Sequence, residues 1–110
     1  MNKLIEKIKK HSFTFMNYNY MGLYNCYENE PIDTIDECCR THDLFYDRII
    51  QSTDSCYPYV HYNFADEELL NDVKALDTTN FSVIQFEAIE LIIAFLKFKH
   101  LVCEADLRNY

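Results

Sequence analysis

Between Asp33 and Ile50 the chain reads DTIDECCRTHDLFYDRII, an order of residues with the period of a helix. Taken from His42 at that spacing, Cys38 and Cys39 lie one turn back and Phe45 and Tyr46 one turn on. Ile35 and Ile49 fall two turns away on the same side. That face is expected to be buried, and it carries a histidine and a tyrosine into the interior. Asp43 points about a hundred degrees away, so a base sits inside while its neighbouring carboxylate faces whatever approaches the helix flank.

The rest of the chain is compatible with an all-α, mainly helical fold. With 110 residues it makes one domain, 1–110, and its single glycine and two prolines leave few tight turns and little room for a sheet. A net charge of −8 gives no reason to expect nucleic acid as a partner. The local exception is Lys3, Lys7, Lys9 and Lys10, four of the ten basic residues; a solvated helix face explains such a cluster more often than an anionic surface does.

In chain order, residues 1–12 read as a short amphipathic helix with Leu4, Ile5 and Ile8 on one side, more often a lid over a core than a membrane anchor. Residues 17–25 are turn-rich and hold the only glycine, Gly22, the residue type used where backbone approaches a ligand closely. Pro31 stops any helix before it, and Asp33 or Thr34 caps the next, 33–51, with Thr34 to Glu37 as a capping-box pattern. Residues 52–60 read as a loop, and no strand is predicted.

A second long helix is expected over 64–76, where Leu69, Leu70 and Val73 are the helical neighbours of Asp66 while Glu67, Glu68 and Asp72 face water. An isolated carboxylate is costly to bury, and the natural partner for Asp66 is His42, the other polar residue on an apolar stripe. A third helix follows over 81–103, apolar on most of its circumference and expected to pack on both others, with a frayed tail from Glu104. Its longest uncharged internal run, Leu91 to Leu96, is far short of the roughly twenty residues of a membrane span. Charges at Glu6, Lys7, Lys9 and Lys10 interrupt any signal-peptide run at the N-terminus. The expectation is a soluble, monomeric protein.

Two stretches carry a family resemblance. Asp36 to Asp43, DECCRTHD, is similar to the active-site helix of secreted phospholipases A2, closest to the insect-venom type. Tyr59 to Leu70, YVHYNFADEELL, resembles the second active-site helix of the phospholipase A2 domain in the unique region of parvovirus minor capsid proteins. The matches span about Asn17 to Leu76. The resemblance implies a compact phospholipase A2-like core with two antiparallel active-site helices, a calcium loop and a long C-terminal helix. It also implies calcium-dependent hydrolysis of the sn-2 ester of glycerophospholipids at a membrane surface. In that scheme His42 activates water, Asp66 fixes and stabilises its ring, and Tyr46 hydrogen-bonds Asp66. Asp43 and the carbonyls of Tyr20, Gly22 and Tyr24 hold Ca2+, and the Gly22 N–H faces the oxyanion. The loop matches the family's Tyr-x-Gly-x-Gly at Tyr20 and Gly22 and departs from it at Tyr24.

The five cysteines, an odd number, cannot all pair within one chain. In the venom-type enzymes one tandem cysteine is bonded to the calcium loop and the other to the second active-site helix. Here Met21 stands at the loop position and no cysteine lies between Cys56 and Cys103, so those bridges cannot form. Cys26–Cys39 and Cys56–Cys103 pairings stay open. The parvovirus version does without disulfides, which implies a virion, or host cytoplasm and endosome, and a role in breaching a membrane during entry; secretion is disfavoured.

Two readings from other classes stand beside the enzyme. One is a catalytically impaired phospholipase A2-like module that binds membrane or a partner protein, which Tyr24 favours. The other is a zinc site of Cys26, Cys38, Cys39 and His42, disfavoured because adjacent cysteines on a helix cannot easily both ligate one tetrahedral ion. His11, His61 and His100 have no comparable context.

Overall fold

Capping side chains and apolar stripes set where the helices of this protein begin and which faces they bury. The structure, a computed structural model, describes residues 18–21, 30–55 and 57–108, with side chains as far as Cys103. The expected N-terminal helix (1–12) lies outside the described residues. So does most of the loop 17–25, including Gly22 and Tyr24, together with His11, Cys26 and Cys56. The described residues form four helices and no strand: α1 (Thr34–Thr53), α2 (Tyr57–Val60), α3 (Phe64–Lys74) and α4 (Val83–Arg108).

Asp33 is the N-cap of α1; its side chain accepts from the Asp36 N–H at 2.9 Å. The Thr34–Glu37 capping box is therefore not the one that forms, because Thr34 is already helical and Asp36, not Glu37, is the third residue after the cap. Asp36 also has a longer-range task. Its carboxylate is wholly buried and accepts from three main-chain donors: Ile32 N–H at 3.0 Å, Tyr20 N–H at 2.8 Å and Asn19 N–H at 3.3 Å. A buried carboxylate satisfied in this way is stable where an orphaned one is not. It fastens the 18–21 segment to the first turn of α1. The Tyr18 hydroxyl adds a 2.7 Å bond to Asp33, which also accepts from Gln85 near the start of α4. At its other end α1 runs to Thr53 and stops at Asp54, whose positive φ of 47° an aspartate tolerates better than most residues.

The span expected as a loop over 52–60 contains a helical turn, α2. Pro58 sits in its first turn, where a missing N–H costs nothing, and its ring is buried. Asn63 then caps α3 in a reciprocal capping box: its side chain accepts from Ala65 N–H at 3.0 Å while its own N–H donates to Asp66 at 3.2 Å. The helix ends at Lys74, before the expected Leu76.

α1 and α3 lie antiparallel. Phe45 meets Phe64 edge to face at 5.7 Å, His42 meets Asp66, and Cys38 feels the charge of Asp72, so contacts advance along one helix as they retreat along the other. α4 begins after Ser82, which exchanges hydrogen bonds with Gln85 at 2.8 and 3.3 Å, and it continues to Arg108 rather than fraying from Glu104. Ala88, Ile92 and Leu96 form its buried stripe against Ile35, Cys39, Leu69 and Val73, with Tyr18, Tyr20 and Met21 closing the core. Each large aliphatic side chain so buried stabilises the fold by about 1.5–3 kcal/mol. The helix packs on both α1 and α3, as expected, with Ile89 and Ile93 flanking the stripe, while Ile84, Phe95, Phe98 and Leu101 on its other sides are all about 60% exposed. No described helix is long and apolar enough to cross a membrane.

Candidate active site

The antiparallel pairing brings together two polar residues from apolar stripes. His42 Nε2 lies 2.7 Å from Oδ1 of Asp66. Asp66 is completely buried, and the His42 side chain is 12% exposed, enough to keep one edge of the ring in reach of solvent. Nδ1 faces the Asp43 carboxylate at 3.8 Å. This is too long for a hydrogen bond, so Asp43 acts on the ring through its charge. Tyr46, one turn after His42, packs its ring against the imidazole at 4.2 Å between centroids and donates its hydroxyl proton to Asp66 Oδ1. Three residues from the sequence reading, His42, Tyr46 and Asp66, thus share one carboxylate oxygen, with Asp43 beside them.

A model of the family described as "Phospholipase A2-like domain" matches residues 10–99 of this chain. The chain belongs to that family. The minor capsid protein VP1 of Human bocavirus 3 is 36% identical to it over 58 residues, which are 52% of this chain and 8% of that protein. The chain therefore corresponds to a small part of that relative's length. No solved structure matches it.

In this phospholipase A2-like domain the electrostatics follow from burial and partners. Burial alone would push the His42 imidazole toward its neutral form, but Asp43 and Asp66 outweigh it and lift the pKa above the ordinary value of 6.5. Burial would raise the Asp66 carboxyl, yet the donors His42, Lys99 and Tyr46 hold it below the usual carboxylate range. Tyr46 is pushed upward, first by burial and then by the Asp66 charge, and remains a phenol throughout the physiological range. An ionised Asp66 accepts the Nε2–H of neutral His42, which fixes the tautomer and leaves the Nδ1 lone pair as the available base.

A hard cation takes oxygen ligands, and the described residues offer two sources of them near His42. Asp43 brings one carboxylate to the flank beside His42, and Asp36 fastens the Tyr20 main chain to the start of the same helix, so carboxylate and carbonyl oxygens come from neighbouring elements. The Arg40 guanidinium lies 5.8 Å from the centre of the Tyr20 ring. Among the described residues no three His, Cys, Asp or Glu side chains cluster as a metal site, so oxygen ligands would have to include main-chain carbonyls. Cys38, Cys39 and Cys103 are free thiols.

Two groups at this site escaped the sequence reading. One is Asp36, whose burial depends on donors well away in the chain. The other is Lys99 on α4, with its Nζ 2.8 Å from Asp66 Oδ2, 2.6 Å from the Tyr46 hydroxyl and 2.6 Å from the Pro58 carbonyl. The available signal was its register: Ala88, Ile92, Leu96 and Lys99 step by four, four and three residues, the spacing of one helix face.

Proposed function

We propose that this chain is a calcium-dependent phospholipase A2 that hydrolyses the sn-2 ester of glycerophospholipids. The observation that carries the reading is the buried Asp66 carboxylate bonded to His42 Nε2, which leaves Nδ1 facing Asp43. In the reaction Nδ1 accepts a proton from a water molecule as its oxygen attacks the ester carbonyl carbon. The imidazolium that forms is stabilised by Asp66, which keeps its own proton-free state, and Tyr46 holds the same carboxylate oxygen from the other side. Collapse of the tetrahedral intermediate breaks the ester C–O bond. The proton on Nδ1 then passes to the leaving lysophospholipid alkoxide, which regenerates neutral His42.

Asp43 and the carbonyls of Tyr20, Gly22 and Tyr24 would hold Ca2+, which supplies charge to polarise the ester carbonyl and to bind the substrate phosphate. The Gly22 N–H would face the oxyanion. The similarity to a segment of a minor capsid protein supports a virion-associated setting; the substrate in that setting would be a host membrane, which hydrolysis would help to breach. A second reading, an impaired module that binds membrane or a partner protein without hydrolysis, is favoured by Tyr24, which stands where the family's loop has a glycine and where a side chain would strain a backbone requiring positive φ.

The deciding experiment is release of a labelled sn-2 acyl chain in millimolar calcium or in chelator, by wild type and by His42→Ala. Calcium-dependent release that vanishes in the variant supports the enzyme. No release by folded wild type at any calcium level sinks it in favour of the binding module.

A further inference from the structure

Lys99 occupies the last core-facing step of the α4 stripe and is 9% exposed. An ammonium group taken out of water is costly unless its three donors are met. Here each donor meets an acceptor from a different helix: Asp66 Oδ2 on α3, the Tyr46 hydroxyl on α1 and the Pro58 carbonyl on α2. No N–H is left for substrate, and a charged ammonium has no lone pair. Lys99 is therefore neither a base nor a nucleophile.

Its effect falls on Asp66. A carboxylate offers about four acceptor positions, and all four are used: Oδ1 by His42 Nε2 and Tyr46, Oδ2 by Lys99 and the Asn63 N–H. The terminal torsion of an aspartate is soft and roughly two-fold, so a carboxylate held on one side alone could turn its oxygens away from His42. The Asn63 bond, at 3.2 Å, is the local one that an aspartate at this helix position makes in a capping box. The shorter, charge-assisted bond is the one from Lys99. Lys99 also sets the direction of the Tyr46 proton: the phenol oxygen accepts from Nζ, which leaves its single hydrogen for Asp66 Oδ1.

We propose that Lys99 is a positioning residue of the His42–Asp66 pair, holding Asp66 Oδ2 and the Tyr46 hydroxyl from α4 so that Oδ1 alone faces the His42 ring. This rests on the reading in which His42 is the base. It adds a third helix to the catalytic unit, through a residue that touches neither substrate nor ion.

Lys99→Met keeps an unbranched side chain of similar length and removes the ammonium. It is expected to lower kcat about 10- to 100-fold, the usual cost of losing an outer partner that orients a histidine, and to leave KM unchanged. In Lys99→Ala, added n-propylammonium is expected to restore part of kcat, while tetramethylammonium, which has no N–H, is not. A route for the small amine exists, because a cavity of about 220 Å3 lined by Phe95, Phe98 and Val102 opens beside the Lys99 side chain.

The second readout needs no turnover. The His42 Nε2–H proton resonance is expected to be far downfield in wild type and to shift upfield or broaden in folded Lys99→Met. If wild type proves inactive, the proposed reaction fails, and this resonance still decides whether Lys99 positions the ring. If Lys99→Met does not fold, Lys99→Arg carries the test: it keeps the buried charge, but its planar fork cannot reproduce three tetrahedral partners, so kcat should fall at unchanged KM. An unchanged His42 resonance with unchanged kcat in Lys99→Met, or an Arg variant as active as wild type, overturns the proposal.

Discussion

The Lys99 ammonium on α4 lies 2.8 Å from the Asp66 carboxylate on α3, and both groups are withdrawn from water. Breaking a buried pair by deleting one member leaves the other uncompensated, at a cost of about 3–5 kcal/mol. Asp66→Ala should therefore destabilise the domain by that order in urea unfolding. Adding Lys99→Met to Asp66→Ala should recover part of the loss. A cost near zero for Asp66→Ala would mean that the pair contributes no net stability.

Stability should depend on pH in two windows of opposite sign. Asp66 is held below its ordinary range in the folded state by His42, Lys99 and Tyr46, against the effect of burial. Its contribution is present above the unfolded carboxyl pKa of about 3.9 and is lost as pH falls through the lower folded value. His42 is shifted upward, with burial overcome by Asp43 and Asp66. Its contribution is full below about 6.5 and is lost as pH rises through the folded pKa. Unfolding midpoints measured across pH should show the acid loss flattened in Asp66→Asn and the neutral loss absent in His42→Gln.

The imidazole itself can be titrated. In ion-free protein the His42 ring resonances should titrate with a midpoint above 6.5, because two carboxylates favour the charged ring. If calcium engages Asp43, its charge no longer supports the imidazolium, and the midpoint should drop on adding the ion. The acid limb of kcat/KM, measured with calcium present, should follow this lower value. A midpoint indifferent to calcium would argue that Asp43 is not a ligand.

Asp36 should matter for both folding and ion binding, although it belongs to no proton transfer. Asp36→Ala leaves three main-chain donors without their acceptor. An unsatisfied buried group costs about 1–3 kcal/mol, so a loss of at least that order is expected in denaturation. Calcium titration should also show weaker binding, since Tyr20 loses its tether. Unaltered calcium affinity in a folded variant would separate the loop from the Asp36 anchor.

Thiol reactivity offers a check on the packing of α1. Burial, and next the Asp72 charge, pushes the Cys38 thiol up to about 11, and burial pushes Cys39 well above its ordinary value. Both should react slowly with a neutral-pH thiol reagent in the native protein and at the free-cysteine rate in denaturant. Rapid native-state labelling of Cys39 would contradict its place in the core.

The chain by itself determined the helical class, the stripes on α1 and α3, and the odd presence of His42 and Asp66 on those stripes. Each is a local property: a period of 3.6 residues and a polar side chain at an apolar register are visible in a short window of sequence. Helix ends were less legible. Asp33 rather than Thr34 caps α1 by accepting from the Asp36 N–H, the Asp36 carboxylate reaches back to Asn19 and Tyr20, and α2 forms around Pro58, whose carbonyl accepts from Lys99. Tertiary structure alone decided Lys99. In sequence it is a charge that breaks an apolar run, and charges of that kind belong at the surface. Its burial is stable only because acceptors 33, 41 and 53 residues away, on three other helices, converge on one nitrogen. No window of sequence contains that convergence; packing creates it.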